Sequence, residues 1–317
     1  MSEARKNKLN KDSLNMILPW IMVIVFSLII LVMLEIHEKD KIKYEKYDYF
    51  LQYFIENYYA LDQNQIDLLD SKDDFWISAV FNQVNENEDE MIKKYNRVIS
   101  KELVEKNEEY HKLFSSNVQS KGIGDKIVYI KFDKFVENTF KDIENVLKNT
   151  KISQNLIIDL SNNIGGSVET ANKVINLFTE KGQTLYYIEK RGEMHPVIDT
   201  DEHNIVFEEI QVITSNKTAS AAEIMAISLK SNLSNVKIYG EKTTGKGIEV
   251  SSRKYHDGSM IAFVTGKLYG PNKEDYHMKG FEPDIKININ YDTNNYNRVT
   301  EQESIRILNE ILELSKD

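Results

Sequence analysis

Cysteine is absent from the sequence of 317 residues. Without it the protein can form no disulfide bond, use no thiolate nucleophile and bind no metal through cysteine sulfur. Histidine is scarce, and its six residues lie at positions 37, 111, 195, 203, 256 and 277. Their scatter matches no spacing typical of a metal site, although one of them could still act as the base for a serine. We therefore expect no metal ion and no other cofactor.

Basic residues are in the minority, with 40 lysines and arginines against 50 aspartates and glutamates. The resulting net charge of −10 argues against nucleic acid as a main partner. A nucleotide-binding loop is also missing, because Gly247 follows Lys246 where such a loop has serine or threonine. The sequence thus predicts no nucleic-acid partner.

Glycine does not occur before Gly122, and no proline lies between Pro19 and Pro196. Long stretches that lack both residues and contain spaced apolar side chains are typical of helices. We therefore predict a helical region over residues 37–121. One helical face in it is formed by Tyr47, Phe50, Leu51, Phe54 and Tyr58. Core packing is favoured for this face over peptide binding.

Apolar residues recur at helical spacing near the end of this region. Met91, Tyr95, Val98 and Ile99 predict a second helix, and Leu103 extends the pattern. The region is therefore expected to be a helical segment that precedes the rest of the protein.

Charged residues are absent from a long apolar run between Met16 and Leu34. About nineteen apolar residues are enough for a helix to cross a hydrocarbon core of roughly 30 Å. A cleaved signal peptide is the alternative, but its apolar region is usually only about 7–15 residues long and ends at small residues. We therefore expect a cytoplasmic tail over residues 1–13 and an uncleaved transmembrane anchor over residues 14–36. The basic residues before the run predict a single-pass protein of the cell membrane, with the remainder outside the cytoplasm.

From residue 122 the pattern changes to strands that alternate with amphipathic helices. The strand-like segments are 127–132, 155–159, 184–188, 209–214, 236–240 and 260–264. The helical segments are 139–147, 168–178, 226–230 and 301–314. This alternation predicts an α/β fold for residues 122–317, with a partly parallel sheet covered by helices and a helix at the C-terminus.

Ser220 lies in a small polar turn between the strand 209–214 and a helical segment. A serine there is a candidate nucleophile if a base removes its proton, although such a serine more often only caps the helix. The candidate base is Lys246, in a Gly-Lys-Gly turn that follows the strand 236–240. A free lysine has a pKa of about 10.4. Burial would therefore have to favour the neutral form of Lys246 for it to act as a base.

A diglycine follows another predicted strand, in the segment Asn163-Ile164-Gly165-Gly166. Glycines let the backbone approach a ligand closely and direct N–H groups at it. The segment is therefore a candidate oxyanion hole.

Together these segments resemble the S41 family of serine peptidases, the carboxyl-terminal processing or tail-specific proteases. Five motifs carry the resemblance in the family's order: Asp159-Leu160-Ser161-Asn162-Asn163-Ile164-Gly165-Gly166, Ser220-Ala221-Ala222-Glu223, Gly240-Glu241-Lys242-Thr243-Thr244-Gly245-Lys246-Gly247, Asp257-Gly258-Ser259 and Gly280-Phe281-Glu282-Pro283-Asp284. They cover roughly residues 125–290. The resemblance implies a mixed, partly parallel sheet with covering helices, of the kind found in ClpP and crotonase.

The resemblance further implies hydrolysis of peptide bonds in a protein or peptide substrate. Ser220 would be the nucleophile and Lys246 the general base, a recognised variant of the serine triad. Backbone N–H groups of Ala221 and of Gly165 or Gly166 would bind the oxyanion. The expected protein is a membrane-anchored serine endopeptidase that acts outside the cytoplasm through a Ser220/Lys246 dyad.

Several departures from the family pattern bear on this expectation. The glutamine that usually follows the lysine by four residues and orients it is Val250, and the adjacent Glu249 should point to the other face of its strand. Ser161 and Ala222 replace an arginine and a serine, and neither reacts. The PDZ domain of many members has no counterpart in residues 37–121, which lack glycine. The alternative function is that of a catalytically weak or inactive scaffold that binds peptides in the same groove.

Overall fold

The computed structural model describes most of the chain. The described residues are 27–36, 38–39, 41, 45–46, 49, 52–53, 55–58, 88–112, 118–149, 155–202 and 204–315. The chain divides into two compact units, residues 1–56 and residues 57–317. In the first unit, residues 27–36 are helical. Within the described part of the chain no helix is long and apolar enough to cross a membrane, and residues 14–26 of the predicted anchor lie outside that part.

The aromatic face predicted near residue 50 is described only in part. Tyr47, Phe50, Leu51 and Phe54 lie outside the described residues. Tyr58 belongs to the second unit, where it is fully buried. Its ring lies edge-on to Phe263, with 6.4 Å between the ring centroids. The structure therefore confirms core packing for Tyr58.

A six-stranded sheet organises the second unit. In spatial order its strands are β11 (Ile285–Lys286), β8 (Val236–Gly240), β7 (Glu209–Thr214), β4 (Asn155–Asp159), β3 (Ile127–Lys131) and β2 (Gln119–Ile123). All neighbouring strands are parallel except β2, which runs antiparallel to β3. The apolar sequence of β4 suits a strand buried on both faces. The predicted partly parallel sheet is confirmed.

Helices cover one face of this sheet. They are α3 (Thr139–Asn149), α4 (Val168–Ile175) and α5 (Ala221–Asn232). Leu156 and Ile158 of β4 pack in one cluster with Val174 of α4 and Ile224 of α5. These four side chains are at most 2% exposed, so the largest apolar core lies between the sheet and these helices.

The opposite face of the sheet is covered by the C-terminal helix α6 (Glu301–Leu314). Since side chains alternate along a strand, Ile157 points away from Leu156 and Ile158. It packs in a second cluster with Ile307 and Ile311 of α6. The sheet is thus the middle layer of three, and the predicted C-terminal helix is confirmed.

A second, antiparallel sheet flanks these layers. It contains β1 (Arg97–Ile99), β10 (Met260–Tyr269), β5 (Thr184–Lys190) and β6 (Glu193–Ile198) in that order, and β9 (Ile248–Lys254) also pairs with β10. The helices α1 (Glu90–Tyr95) and α2 (Lys101–Lys112) lie on either side of β1 in the sequence. A short hairpin of β12 (Tyr291–Asp292) and β13 (Arg298–Val299) precedes α6.

The prediction of one helix through Val98 and Ile99 is wrong. Helix α1 ends at Tyr95, and Val98 and Ile99 form part of β1, which pairs with β10. Asn96 lies between the two elements. Its Oδ1 accepts the Val264 N–H of β10 at 2.8 Å. β-branched residues suit a strand, and here an available partner strand overrides the local helical pattern.

Candidate active site

The loops that follow β4, β7 and β8 lie at one edge of the six-stranded sheet. These strands are parallel, and ligand sites of open α/β sheets form at the carboxyl ends of parallel strands. A cavity of about 560 Å³ is lined by Ser220, Lys246 and Gly166. The structure therefore brings the predicted nucleophile, the predicted base and the diglycine segment to one cavity.

Ser220 has an unusual backbone conformation, with φ 58° and ψ −121°. A positive φ is uncommon for a residue other than glycine and costs roughly 1–3 kcal/mol. Its carbonyl oxygen accepts the N–H groups of Glu223 and Ile224 in the first turn of α5, at 2.9 and 3.0 Å. Sharp strand-to-helix turns of this kind expose a nucleophilic side chain in many hydrolases. The same residue also caps α5, so the strained turn is compatible with either role of the serine.

Hydrogen bonds fasten the turn before Ser220 to the loop after β4. Thr218 donates its hydroxyl proton to the Leu160 carbonyl oxygen at 2.8 Å. The Ala219 N–H donates to the Asn163 carbonyl oxygen at 3.0 Å. The turn with the serine and the loop with the two glycines therefore form one rigid piece.

Both glycines of that loop are required by close packing. Gly165 and Gly166 have φ of 93° and 136°. A Cβ atom on Gly165 would lie 2.8 Å from the Ser220 Cβ, and one on Gly166 would lie 2.2 Å from a backbone carbonyl oxygen. Any larger residue would push the loop away from the serine.

The predicted oxyanion donors differ in their availability. The Gly165 N–H already donates to Asn163 Oδ1 at 2.9 Å. The Gly166 N–H and the Ala221 N–H make no hydrogen bond within the described residues. Gly166 also lines the cavity, whereas Gly165 does not. The structure therefore favours Gly166 and Ala221 as the donors and argues against Gly165.

Glu223 joins the serine turn to the lysine turn. Its side chain is fully buried. Oε2 accepts the backbone N–H groups of Ser220 and Lys246, each at 2.8 Å. Oε1 accepts the Gly245 N–H at 2.7 Å and the Thr243 hydroxyl at 2.6 Å. Burial raises the pKa of Glu223 above its usual range, and these four hydrogen bonds oppose that shift.

Lys246 contacts an aromatic ring. Its Nζ lies 4.2 Å from the ring centroid of Tyr95, the last residue of α1. No hydrogen bond joins Lys246 Nζ to Ser220 Oγ in the described part of the chain. Val250, which stands where the family pattern has an orienting glutamine, lines the same cavity with an apolar side chain. The Tyr95 ring is thus a direct contact of the lysine side chain.

Other charged side chains line the cavity. Glu249 forms an ion pair with Lys190 at 3.2 Å and accepts the Thr265 hydroxyl at 2.9 Å, so it does not pair with Lys246. Glu169 forms an ion pair with Lys173, one turn along the same helix, at 2.6 Å. Burial lowers the pKa of Lys134, which has no carboxylate partner among the described residues. Lys134 is therefore a second candidate base for Ser220.

Among the histidines whose side chains are described, none supplies an alternative base. His195 lies in β6, opposite Ile188. The ring of His256 stacks on a neighbouring tyrosine, and His277 pairs with Asp89 at 2.8 Å. None of these three lines the cavity. The side chains of His37, His111 and His203 are not among those described.

The remaining motifs support the lysine turn or lie away from it. The Thr243 hydroxyl accepts the Phe281 N–H at 3.1 Å, which joins the Gly280–Asp284 motif to the lysine turn. Asp284 accepts the Ile238 N–H at 2.8 Å and pairs with Lys230. The Asp257-Gly258-Ser259 motif forms the turn between β9 and β10. The Gly280–Asp284 motif therefore supports the lysine turn, and the Asp257-Gly258-Ser259 motif lies away from it. Neither motif lines the cavity.

The roles of Glu223 and Tyr95 in the site were not predicted. The spacing of Ser220 and Glu223 is that of a capping box, so the pattern alone could have suggested the backbone contact between them. Tyr95 gives no such signal, because it lies far before the lysine in the sequence and outside every motif.

Comparison with known proteins agrees with this fold. The model of peptidase family S41 matches residues 126–287, about half of the chain. The carboxy-terminal processing protease CtpA of Bacillus subtilis (strain 168) is 32% identical over 176 residues, which cover 55% of this chain and 37% of that protein. A probable CtpA-like serine protease of Staphylococcus aureus (strain N315) is 32% identical over 167 residues, which cover 51% of this chain and 33% of that protein.

Among solved structures, a lipoprotein from Streptococcus agalactiae has a similar fold, with a TM-score of 0.56 and 20% identity. The match covers 77% of this chain and 92% of that one. The partly parallel sheet and its covering helices define an α/β fold, with the strained serine at one edge of the sheet. Within that class the chain belongs to peptidase family S41. It spans about a third of the length of the curated relatives that it matches.

Proposed function

We propose that the protein is a serine endopeptidase in which Ser220 is the nucleophile and Lys246 the general base. The observation that supports this most directly is the buried Glu223 carboxylate, whose Oε2 accepts the backbone N–H groups of both residues at 2.8 Å. One acceptor atom fixes the two turns to each other, and such fixed geometry is what a dyad requires.

In the proposed reaction, Ser220 Oγ attacks the carbonyl carbon of the scissile peptide bond while neutral Lys246 accepts the hydroxyl proton. The Gly166 and Ala221 N–H groups stabilise the oxyanion that forms. Lys246 then donates its proton to the departing amine, and the C–N bond breaks. Water hydrolyses the acyl-enzyme, with Lys246 accepting the proton of that water and returning it to Ser220.

The substrates that we propose are unfolded protein segments outside the cytoplasm. The names of the curated relatives describe carboxy-terminal processing and CtpA-like serine proteases, which supports a protein substrate. The apolar run from Met16 to Leu34, with basic residues before it, supports anchoring of the chain in the cell membrane.

Proteolysis by the purified full-length chain in detergent tests this proposal. Wild type should degrade an unfolded substrate such as casein, and Ser220→Ala should be inactive. Lys246→Arg should also be inactive, because arginine keeps the charge but cannot lose its proton. Lys134→Arg serves as the matched variant on the other lysine of the cavity. Activity in Lys246→Arg together with its loss in Lys134→Arg would move the base to Lys134.

The second candidate function is that of an inactive peptide-binding scaffold. The contact of the Lys246 ammonium with the Tyr95 ring favours it, since a cation held by an aromatic ring is not a neutral base. In that case wild type would bind casein and leave it intact, and Ser220→Ala would bind it equally well.

A further inference from the structure

The segment that contacts Lys246 lies outside the region that matches the family model. That model covers residues 126–287, whereas Tyr95 belongs to α1. The Lys246 Nζ lies 4.2 Å from the Tyr95 ring centroid, well within the roughly 6 Å range of a cation–π interaction. Lys94, the neighbour of Tyr95, lies farther from the same ring, at 6.0 Å.

Contacts at both ends of α1 fix the position of Tyr95. At the start of the helix, Asp89 Oδ1 caps the Met91 and Ile92 N–H groups, while its Oδ2 pairs with His277 Nε2 at 2.8 Å. His277 also packs on the lysine turn, since a Cβ added to Gly247 would lie 3.0 Å from the His277 Cβ.

At the other end of α1, Asn96 accepts a backbone N–H of β10 at 2.8 Å, and β1 pairs with the same strand. The side chain of Asn96 also donates to the fully buried Tyr58 hydroxyl at 3.3 Å. The backbone of Tyr95 therefore lies between two fixed points, which place its ring beside the lysine turn.

We propose that Tyr95 is a positioning residue for Lys246. This inference rests on the proposed Ser220/Lys246 chemistry and adds a residue to it. Val250 has no hydrogen-bonding group to orient the lysine, and the Tyr95 ring supplies that contact from another part of the fold. The ring holds the Lys246 side chain beside the cavity and stabilises the positive charge that forms on Lys246 when it takes the serine proton.

The kcat and KM of peptide hydrolysis test the inference. Tyr95→Leu should lower kcat by about tenfold with little change in KM, because the base is no longer held in line. Tyr95→Phe keeps the ring and should match wild type in both quantities.

Pentafluorophenylalanine at position 95 keeps the ring's shape and removes its negative face, so it should lower kcat as Tyr95→Leu does, even if the leucine variant folds poorly. Tyr187→Leu is the matched control, because it removes a cation–π contact with Lys273 at 5.1 Å outside the cavity, and it should leave kcat and KM unchanged.

Equal values of kcat for wild type, Tyr95→Leu and the pentafluoro variant would overturn the inference. An equal change in Tyr95→Phe and Tyr95→Leu would do so as well, since it would assign the effect to the hydroxyl. Lys246→Arg in the same assay separates the two proposals. If it retains activity, the dyad itself fails; if it is inactive while the Tyr95 variants match wild type, only the role of Tyr95 fails.

Discussion

A strained serine and a buried glutamate stabilise one another at the centre of this protein. Ser220 at φ 58° would relax if its N–H were free, but Glu223 holds that N–H at 2.8 Å. A fully buried carboxylate is costly unless its oxygens are hydrogen-bonded, and Glu223 has two donors on each oxygen. The Ser220 N–H therefore supplies one of the four hydrogen bonds that stabilise the Glu223 carboxylate. In return, Glu223 holds Ser220 in a position that lines the cavity.

Glu223→Gln should uncouple the two turns. The amide places an NH₂ group where Glu223 now accepts two hydrogen bonds, so at least one donor loses its partner. We expect kcat/KM to fall by about a hundredfold or more and the free energy of unfolding to fall by about 1–3 kcal/mol. Peptide hydrolysis and urea unfolding measure the two effects.

Glu202→Gln is the control for this variant, because Glu202 is exposed and pairs only with Lys181 within the described residues. It should change neither quantity. Activity of Glu223→Gln within twofold of wild type would show that the link between the turns is dispensable.

The sequence predicts well that Ser220 and Lys246 lie in loops after strands, because their motifs are local. Ser220 and Lys246 each lie in a short loop that follows a β-rich strand, and both line the cavity. Gly165 was a weaker prediction, since only the structure reveals that Asn163 already accepts its N–H. Tyr95 could not be predicted, because a contact between α1 and the lysine turn depends on tertiary packing.

Among the elements, α1 and β1 determine how the segment before the α/β core is attached. Asp89 has two roles there, as the N-cap of α1 and as the partner of His277. Burial alone would raise the pKa of Asp89, but the Ile92 N–H, the hydrogen bond and charge of His277, and the Met91 N–H together hold it below the ordinary value of 3.8.

This pKa makes the attachment of α1 dependent on pH. A carboxyl whose pKa is lower in the folded state contributes stability above its unfolded pKa, and that contribution disappears as the pH falls through the folded value. Asp89→Ala should therefore lower the free energy of unfolding by about 0.5–2 kcal/mol near neutral pH. The difference should shrink once the pH drops below 3.8.

Urea unfolding of wild type and Asp89→Ala across this range measures the effect. Asp125→Ala, at an exposed aspartate in the turn between β2 and β3, should show no such dependence. A loss in Asp89→Ala that stays constant with pH would mean that the charge of Asp89 has no part in the attachment.

Element boundaries were predicted best where the pattern and the packing agree. The strands Asn155–Asp159, Glu209–Thr214 and Val236–Gly240 were predicted at the bounds that the structure gives. They form the centre of the sheet, where burial on both faces produces continuous apolar runs. Residues 97–99 were predicted as helix, because their helical spacing is real and the partner strand β10 lies far along the chain.

At the scale of the whole molecule, the site combines distant parts of the chain. Glycines and a serine come from the loops after β4 and β7, the lysine from the turn before β9, and an aromatic ring from α1. The class of fold follows from the alternation of strands and helices. The second sheet was less predictable, since its β6 lacks a continuous apolar pattern. The exposed β2, at the edge of the six-stranded sheet, lacks one as well.

The proposed membrane anchor makes a prediction about the orientation of the whole chain. With the basic flank in the cytoplasm, protease treatment of intact cells should remove a tag at the carboxyl terminus and spare one at the amino terminus. A cytoplasmic marker protein must survive the same treatment. Loss of the amino-terminal tag with retention of the other would reverse the assignment.

The most direct test of the central claim is the rate and position of labelling by a fluorophosphonate, which reacts with activated serines. Peptide mapping of the full-length protein should find one adduct, on Ser220, and none in Ser220→Ala. Lys246→Arg should slow the labelling by about a hundredfold or more, whereas Lys134→Arg should label within about twofold of wild type. An adduct on another residue, no adduct at all, or a labelling rate that Lys246→Arg leaves unchanged would contradict the Ser220/Lys246 dyad.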